Sequence, residues 1–298
     1  MRKYAIIISA LIGLSSCKKF LDLKPEYLIS SGNFFRNAND FETALTGVYG
    51  TFRGLFNSNM LYIGELTTDN TEIQWSSPSV SEMQVDQNAV NSTNSYTSAV
   101  WNTCLITISR CNTILGRIDN VSMDENQRNR IKGETLFLRS FSYFYMVRIF
   151  GNVPVNDQEF LSPEEILAAD LSLQPKEKVY EKIVAELKTA EGLLPAAVNS
   201  DKTRASQGTV KTLLGKVYLT LHDYTNAAAK LKEVIDSKQY GPLTASYKNL
   251  FSAGNSNLPE SIFEIQYVSG KSIGNNYSYL FTPAITSMAL FQNNQQGA

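Results

Sequence analysis

The densest set of chemically useful side chains runs from Tyr62 to Trp75 (YIGELTTDNTEIQW). Trp75 stands in a polar stretch with no helical apolar stripe to absorb it. A flat indole face suits the C–H surface of a sugar ring, and Asp69, Asn70 and Gln74 supply the donors and acceptors that hold ring hydroxyls. This stretch is the candidate ligand-binding site. Glu65 and Asp69 are four residues apart and could share a helix face, the spacing a two-carboxylate glycoside hydrolase would need. Acidic residues so spaced are common on solvated faces, and GxxxxGK[ST], GxGxxG and HExxH are all absent. The single histidine, His222, excludes any site with two imidazole ligands. The expectation is a non-catalytic chain with no metal and no cofactor. A helical-repeat assembly protein and, more remotely, a glycosidase are the alternatives.

Bulk composition narrows the class. Of 298 residues 43 % are hydrophobic, enough for a sizeable core. Lys and Arg number 27 against 28 Asp and Glu, so the basic footprint of a nucleic-acid partner is missing. Arg2 and Lys3 precede an apolar run of 11 residues, Tyr4 to Leu14, which is well short of the roughly 20 needed to span a bilayer and fits a secretory leader. Leu14-Ser15-Ser16-Cys17 then resembles the lipobox of bacterial lipoproteins. That resemblance implies a signal peptide over 1–16 and lipid attachment at Cys17. Several acyl chains hold a protein firmly where one does so marginally. Cys104 and Cys111 on one helix would lie ~10.5 Å apart along its axis, too far for a disulfide, so both are expected free and buried.

The elements that must position these groups read as mostly helical. Phe41, Leu45, Val48, Tyr49 and Phe52 recur at helical intervals. Asn57–Ser98 reads as a short helical piece near Tyr62–Thr68 followed by a long loop. Tyr96–Ile118 reads as a helix with Trp101, Leu105, Ile108, Ile114 and Leu115 as its buried stripe, so Trp101 is assigned to the core. Ser122-Met123-Asp124-Glu125 reads as a capping box opening a helix to Phe150. From Leu136 that helix is apolar on nearly every face and so central; Arg139 inside it needs a carboxylate or carbonyl partner. Ser162-Pro163 opens a short helix, and Pro175 and Pro195 bracket an amphipathic one. Residues 209–240 carry the tetratricopeptide pattern in Leu214-Gly215, Tyr218, Ala227 and Leu231, with His222 in an exposed turn. Ser261–Val268 alternates and reads as a strand or extended segment.

These pieces, taken together, resemble the SusD/RagB family of outer-membrane nutrient-binding lipoproteins. The matching stretches are Cys17 with Phe20-Leu21-Asp22 and Pro25, Trp101–Asn112 (WNTCLITISRCN), Glu134–Pro154 (ETLFLRSFSYFYMVRIFGNVP), Val179–Pro195, Thr209–Tyr240 and Glu260–Tyr267 (ESIFEIQY). The resemblance implies an α-superhelix of tetratricopeptide-like helix pairs with a loop-rich face. It implies a helical domain over 17–240 and, over 241–298, the start of a loop-rich region that runs further in family members. It also implies capture of a glycan or other nutrient at the cell exterior, and its delivery to a SusC-type TonB-dependent transporter.

Overall fold

Phe41, Leu45, Val48 and Phe52 are all buried, which makes Ala38–Arg53 an amphipathic helix, α1. Its start is fixed by a capping box, in which the Asn37 side chain accepts from the backbone N–H of Asp40 while the Asp40 carboxylate accepts from that of Asn37. The computed structural model describes residues 34–57, 59–73, 78–196, 201–250, 255–268 and 274–275. Contacts divide the chain after Arg36, and everything below concerns the unit that begins at Asn37.

The remaining helices are α2 (Asn59–Glu65), α3 (Val80–Asp86), α4 (Ser95–Arg117), α5 (Glu125–Phe150), α6 (Pro163–Ala168), α7 (Lys176–Leu193), α8 (Gln207–Thr220), α9 (Tyr224–Asp236) and the single turn α10 (Tyr247–Leu250). Successive long helices pack on one another in the order α4, α5, α7, α8, α9, with α1 against both α4 and α5. This is the mostly helical superhelix of stacked pairs that the sequence implies. A two-residue antiparallel ladder, Val153–Pro154 (β1) with Leu173–Gln174 (β2), closes the excursion between α5 and α7.

Helix α5 is the axis of the unit. Residues 133–140 are buried without interruption, as its all-round apolar character demands. Two charges are buried with them, and each is held on several sides. Glu134 accepts from Tyr49 Oη at 2.8 Å and from Arg130 at 2.7 Å, with Arg204 at 3.3 Å, tying α1 and the loop before α8 to α5. Arg139 donates to both carboxylate oxygens of Glu186 on α7, at 2.7 and 3.2 Å, and to Asn112 Oδ1 on α4 at 2.7 Å. The carboxylate that Arg139 requires is therefore Glu186.

The α8–α9 pair has the geometry its pattern asks for. A Cβ at Gly215 would sit 2.7 Å from Leu231 Cγ, so glycine is what lets the two helices approach. His222 turns the chain between them in an exposed αL conformation with φ of 60°.

Three sequence expectations need correction. The cap of α5 is Asp124, whose carboxylate accepts from Gln127 N–H, and the Ser122 box does not form; an aspartate two residues nearer the helix holds the same orphan donors and the positive helix end. The stretch 57–98 holds a second helix, α3, opened by a Ser79/Glu82 capping box. The buried stripe of α4 keeps the expected Ile108 and Ile114 but is completed by Val100, Cys104 and Cys111, with Trp101, Leu105 and Leu115 at intermediate exposure. Cys104 and Cys111 occupy it as free, small hydrophobes, and Trp101 moves to its edge. Of the two readings open for Ser261–Val268, the strand is not formed: the segment has no ladder, and Glu264 N–H donates to Lys202 O at 2.8 Å.

Candidate functional site

The rotation of α4 decides where the aromatic chemistry lies. Asn94 caps the helix, its Oδ1 accepting from the N–H groups of Tyr96 and Thr97 at 3.0 and 3.2 Å. Asn94 is itself buried, and its amide donates to Ser81 O and Gln84 Oε1 of α3. Helix α3 therefore holds the first turns of α4 rigidly, and those turns carry two aromatic groups on different sides.

On one side Tyr96 packs on Tyr62 of α2, ring centroids 4.4 Å apart. Tyr96 Oη donates to Glu82 at 3.1 Å. Burial, the neighbouring Tyr62 and the Glu82 carboxylate all push the Tyr96 hydroxyl's pKa up, so it stays a donor. Burial would raise Glu82, but hydrogen bonds from Ser79, Tyr96 and Tyr62 outweigh it and hold its carboxyl below the usual value.

On the other side lies a cavity of about 560 Å³, within the size of small-molecule sites. Trp101 forms its wall, half-buried, with the ring edge-on to Phe150 at 4.9 Å between centroids and 89° between planes. Val90 and Ile149 extend the apolar surface; Asn91, Ser92, Thr97, Ser98 and Asn102 bring polar groups to it. Asn91 Oδ1 is committed to Thr93, accepting from its N–H at 2.9 Å and its hydroxyl at 2.7 Å. Asn102 and Ser98 are exposed on the first turns of α4, where their side chains are free of such local turn bonds. The assignment of Trp101 to the core is corrected accordingly: its indole, beside the buried stripe, is partly exposed and lines the cavity. The signal that could have found it was the pair of cysteines, which fit the buried positions better than a tryptophan.

Asp69 and Asn70 are exposed in the turn after α2, and neither lines this cavity. Their turn is built by Thr68 and Thr71, whose hydroxyls both donate to Glu65 O, at 2.6 and 2.8 Å. Trp75 and Gln74 lie outside the described residues, as does Cys17. Further clefts are lined by described residues. One of about 610 Å³ lies between α1 and residues 263–266, and one of about 1150 Å³ between α5, α7 and the α8–α9 turn.

The model of a family described as starch-binding and associating with the outer membrane matches residues 19–219. The chain belongs to the SusD-like family. SusD-like protein P2 of Formosa agariphila is 28 % identical over 294 residues, 97 % of this chain and 57 % of that protein. A SusD-like protein of Bacteroides ovatus is 25 % identical, over 88 % of this chain and 49 % of its own. The chain thus spans about half the length of the curated relatives it matches. Among solved structures, a laminarin-binding SusD-like protein superposes with a TM-score of 0.69 at 29 % identity, covering 80 % of this chain and 52 % of that one. A SusD-like protein of Bacteroides fragilis superposes with a TM-score of 0.71 at 24 % identity, covering 82 % and 47 %.

Proposed function

We propose that this SusD-like protein captures a glycan without breaking a bond in it and passes it to a SusC-type TonB-dependent transporter. Lipid on Cys17 would hold it to the outer membrane, facing the cell exterior. The observation that supports capture is the Trp101 cavity, where an indole wall meets exposed hydroxyl and amide groups on a helix start fixed by Asn94. An aromatic face against sugar C–H groups supplies affinity, and polar edges select orientation. Such a site needs no general acid. Its rigidity lowers the ordering cost of binding.

Hand-over needs a protein-facing surface as well. The groove between α5, α7 and the α8–α9 turn combines Tyr180, Tyr218 and Leu221 with Arg148, Lys188, Glu177 and Glu181, a mixture suited to a protein partner. The same groove favours the second reading, a helical-repeat assembly factor. Calorimetric titration with laminarin and with starch oligosaccharides separates the two. Heat that is lost in Trp101→Ala and kept in Tyr180→Ala supports capture at this cavity. Absence of heat with every glycan overturns it. Trp75→Ala and Asp69→Ala measure whether the turn after α2 extends the site.

A further inference from the structure

We infer that the Trp101 cavity accepts only uncharged sugar units and excludes uronate and sulfated glycans; this rests on the reading of that cavity as the glycan site. The argument is one of charge placement. Its described lining contains hydroxyl, amide, aromatic and aliphatic groups and no ionisable side chain. The two clefts described above differ. The one beside α1 holds Arg53, Arg204, Asp201 and Glu264, and the groove beside α7 holds Arg148, Lys176, Lys188, Glu177 and Glu181. An anionic sugar carries a strongly hydrated group, and desolvating it beside Trp101 without a cation is unfavourable.

Two charges near the lining in sequence are turned away. Arg148, two residues before Phe150, lays its guanidinium over the Phe144 ring at 5.1 Å and lines the α7 groove instead. Glu82 on α3 is engaged by the Ser79 N–H at 2.6 Å and the Tyr96 hydroxyl at 3.1 Å, on the opposite side of α4. The helix start itself, which could hold an anion, is filled by Asn94 Oδ1. What remains are Ser92, Ser98 and Asn102, which serve both donor and acceptor roles toward neutral hydroxyls.

The test uses the full chain in affinity electrophoresis and calorimetry against four polymers: laminarin and starch, which are neutral, and alginate and a sulfated galactan, which are not. Each is measured at about 20 mM and 500 mM salt. The inference predicts binding of at least one neutral polymer and an affinity that changes less than twofold between the two salts. Binding should fall roughly tenfold in Asn102→Ala, an exposed position where folding is not at stake. It also predicts no retardation by either acidic polymer. Binding of an acidic polymer that weakens with salt and with Asn102→Ala overturns the inference and leaves glycan capture standing. Binding of none of the four overturns the capture reading, and the inference falls with it. As a converse check, Asn102→Lys should weaken the neutral ligand and confer salt-sensitive retardation by alginate; no gained retardation would mean that charge does not govern entry.

Discussion

The contact between Arg139 and Glu186 is the point at which the central helix is most exposed to a single substitution. Both side chains are nearly sealed from solvent, 8 % and 9 % exposed. Arg139 has a second acceptor in Asn112, and Glu186 receives Ser140 Oγ at 3.1 Å and Lys182 Nζ at 2.6 Å. Arg139→Met keeps the aliphatic stem and removes the charge. Glu186 would retain Lys182 and Ser140 but lose its bidentate partner, and Asn112 Oδ1 would lose its donor. Removing one member of a buried pair costs about 3–5 kcal/mol. At roughly 2–4 °C per kcal/mol for a domain of this size, the melting temperature should fall by about 6–20 °C. Replacing both members, Arg139→Met with Glu186→Leu, also removes the buried carboxylate that had lost its bidentate partner. The Ser140 hydroxyl also loses its acceptor but can turn to the carbonyl four residues earlier in α5; the remaining orphan is Asn112 Oδ1, worth about 1–3 kcal/mol, because the Asn112 amide still donates to Asn156 O and Gln158 O. Lys182 still has Asp157. The double variant should therefore be more stable than Arg139→Met alone. Urea unfolding followed by circular dichroism reads all three proteins. A loss below about 1 kcal/mol for Arg139→Met, or a double variant less stable than the single one, would refute the reasoning.

Three further outcomes follow from groups already described. Burial pushes the Cys104 thiol up to about 12 and raises Cys111 as well. Neither should react with iodoacetamide at pH 8 in the folded protein, and both should react in guanidinium; mass spectrometry of native alkylation counts them. The Glu82 carboxyl is held below its ordinary value in the fold, so its contribution is present above the unfolded pKa and lost as pH falls through the lowered one. Near-ultraviolet dichroism from the Tyr62–Tyr96 pair should thus change on acidification below about pH 4.5, and Glu82→Gln should remove that acid transition. At Gly208 a Cβ would overlap the Tyr240 ring and hydroxyl, whose oxygen lies 3.0 Å from Ser206 Oγ at the α8 cap. Gly208→Ala should destabilise by about 1–3 kcal/mol, with hydrogen exchange rising first near Tyr240; a stabilised variant would show that Tyr240 moves aside freely.

The fold was largely legible because its signals are local. Periodicity located the long helices, prolines and caps bounded them, and the step between Leu214-Gly215 and Leu231 identified a close helix pair. What escaped was rotation about a helix axis. In α4 the expected and observed stripes share Ile108 and Ile114, and only packing against α1 and α5 selects Val100, Cys104 and Cys111 over Trp101, Leu105 and Leu115 for the rest. Cysteine's readiness to be buried was the overlooked clue. Helix α3 was missed because its 7 residues carry too little periodicity, although Ser79-Val80-Ser81-Glu82 is a capping box in plain view. The candidate site suffered from the same rotation. Asp69 and Asn70 were legible as an exposed polar turn, while the cavity requires residues from 90–102 and 149–150 that no linear spacing joins.

The sequence contains two tryptophans, so Trp75→Phe leaves Trp101 as the sole indole reporter. Titrating this variant with laminarin or starch oligosaccharide, with acrylamide as quencher, asks directly whether sugar covers the Trp101 face. Capture at the cavity predicts a saturable emission change and a reduced quenching constant at full occupancy. Unchanged Trp101 emission and quenching while calorimetry registers bound glycan would place the sugar elsewhere and contradict it.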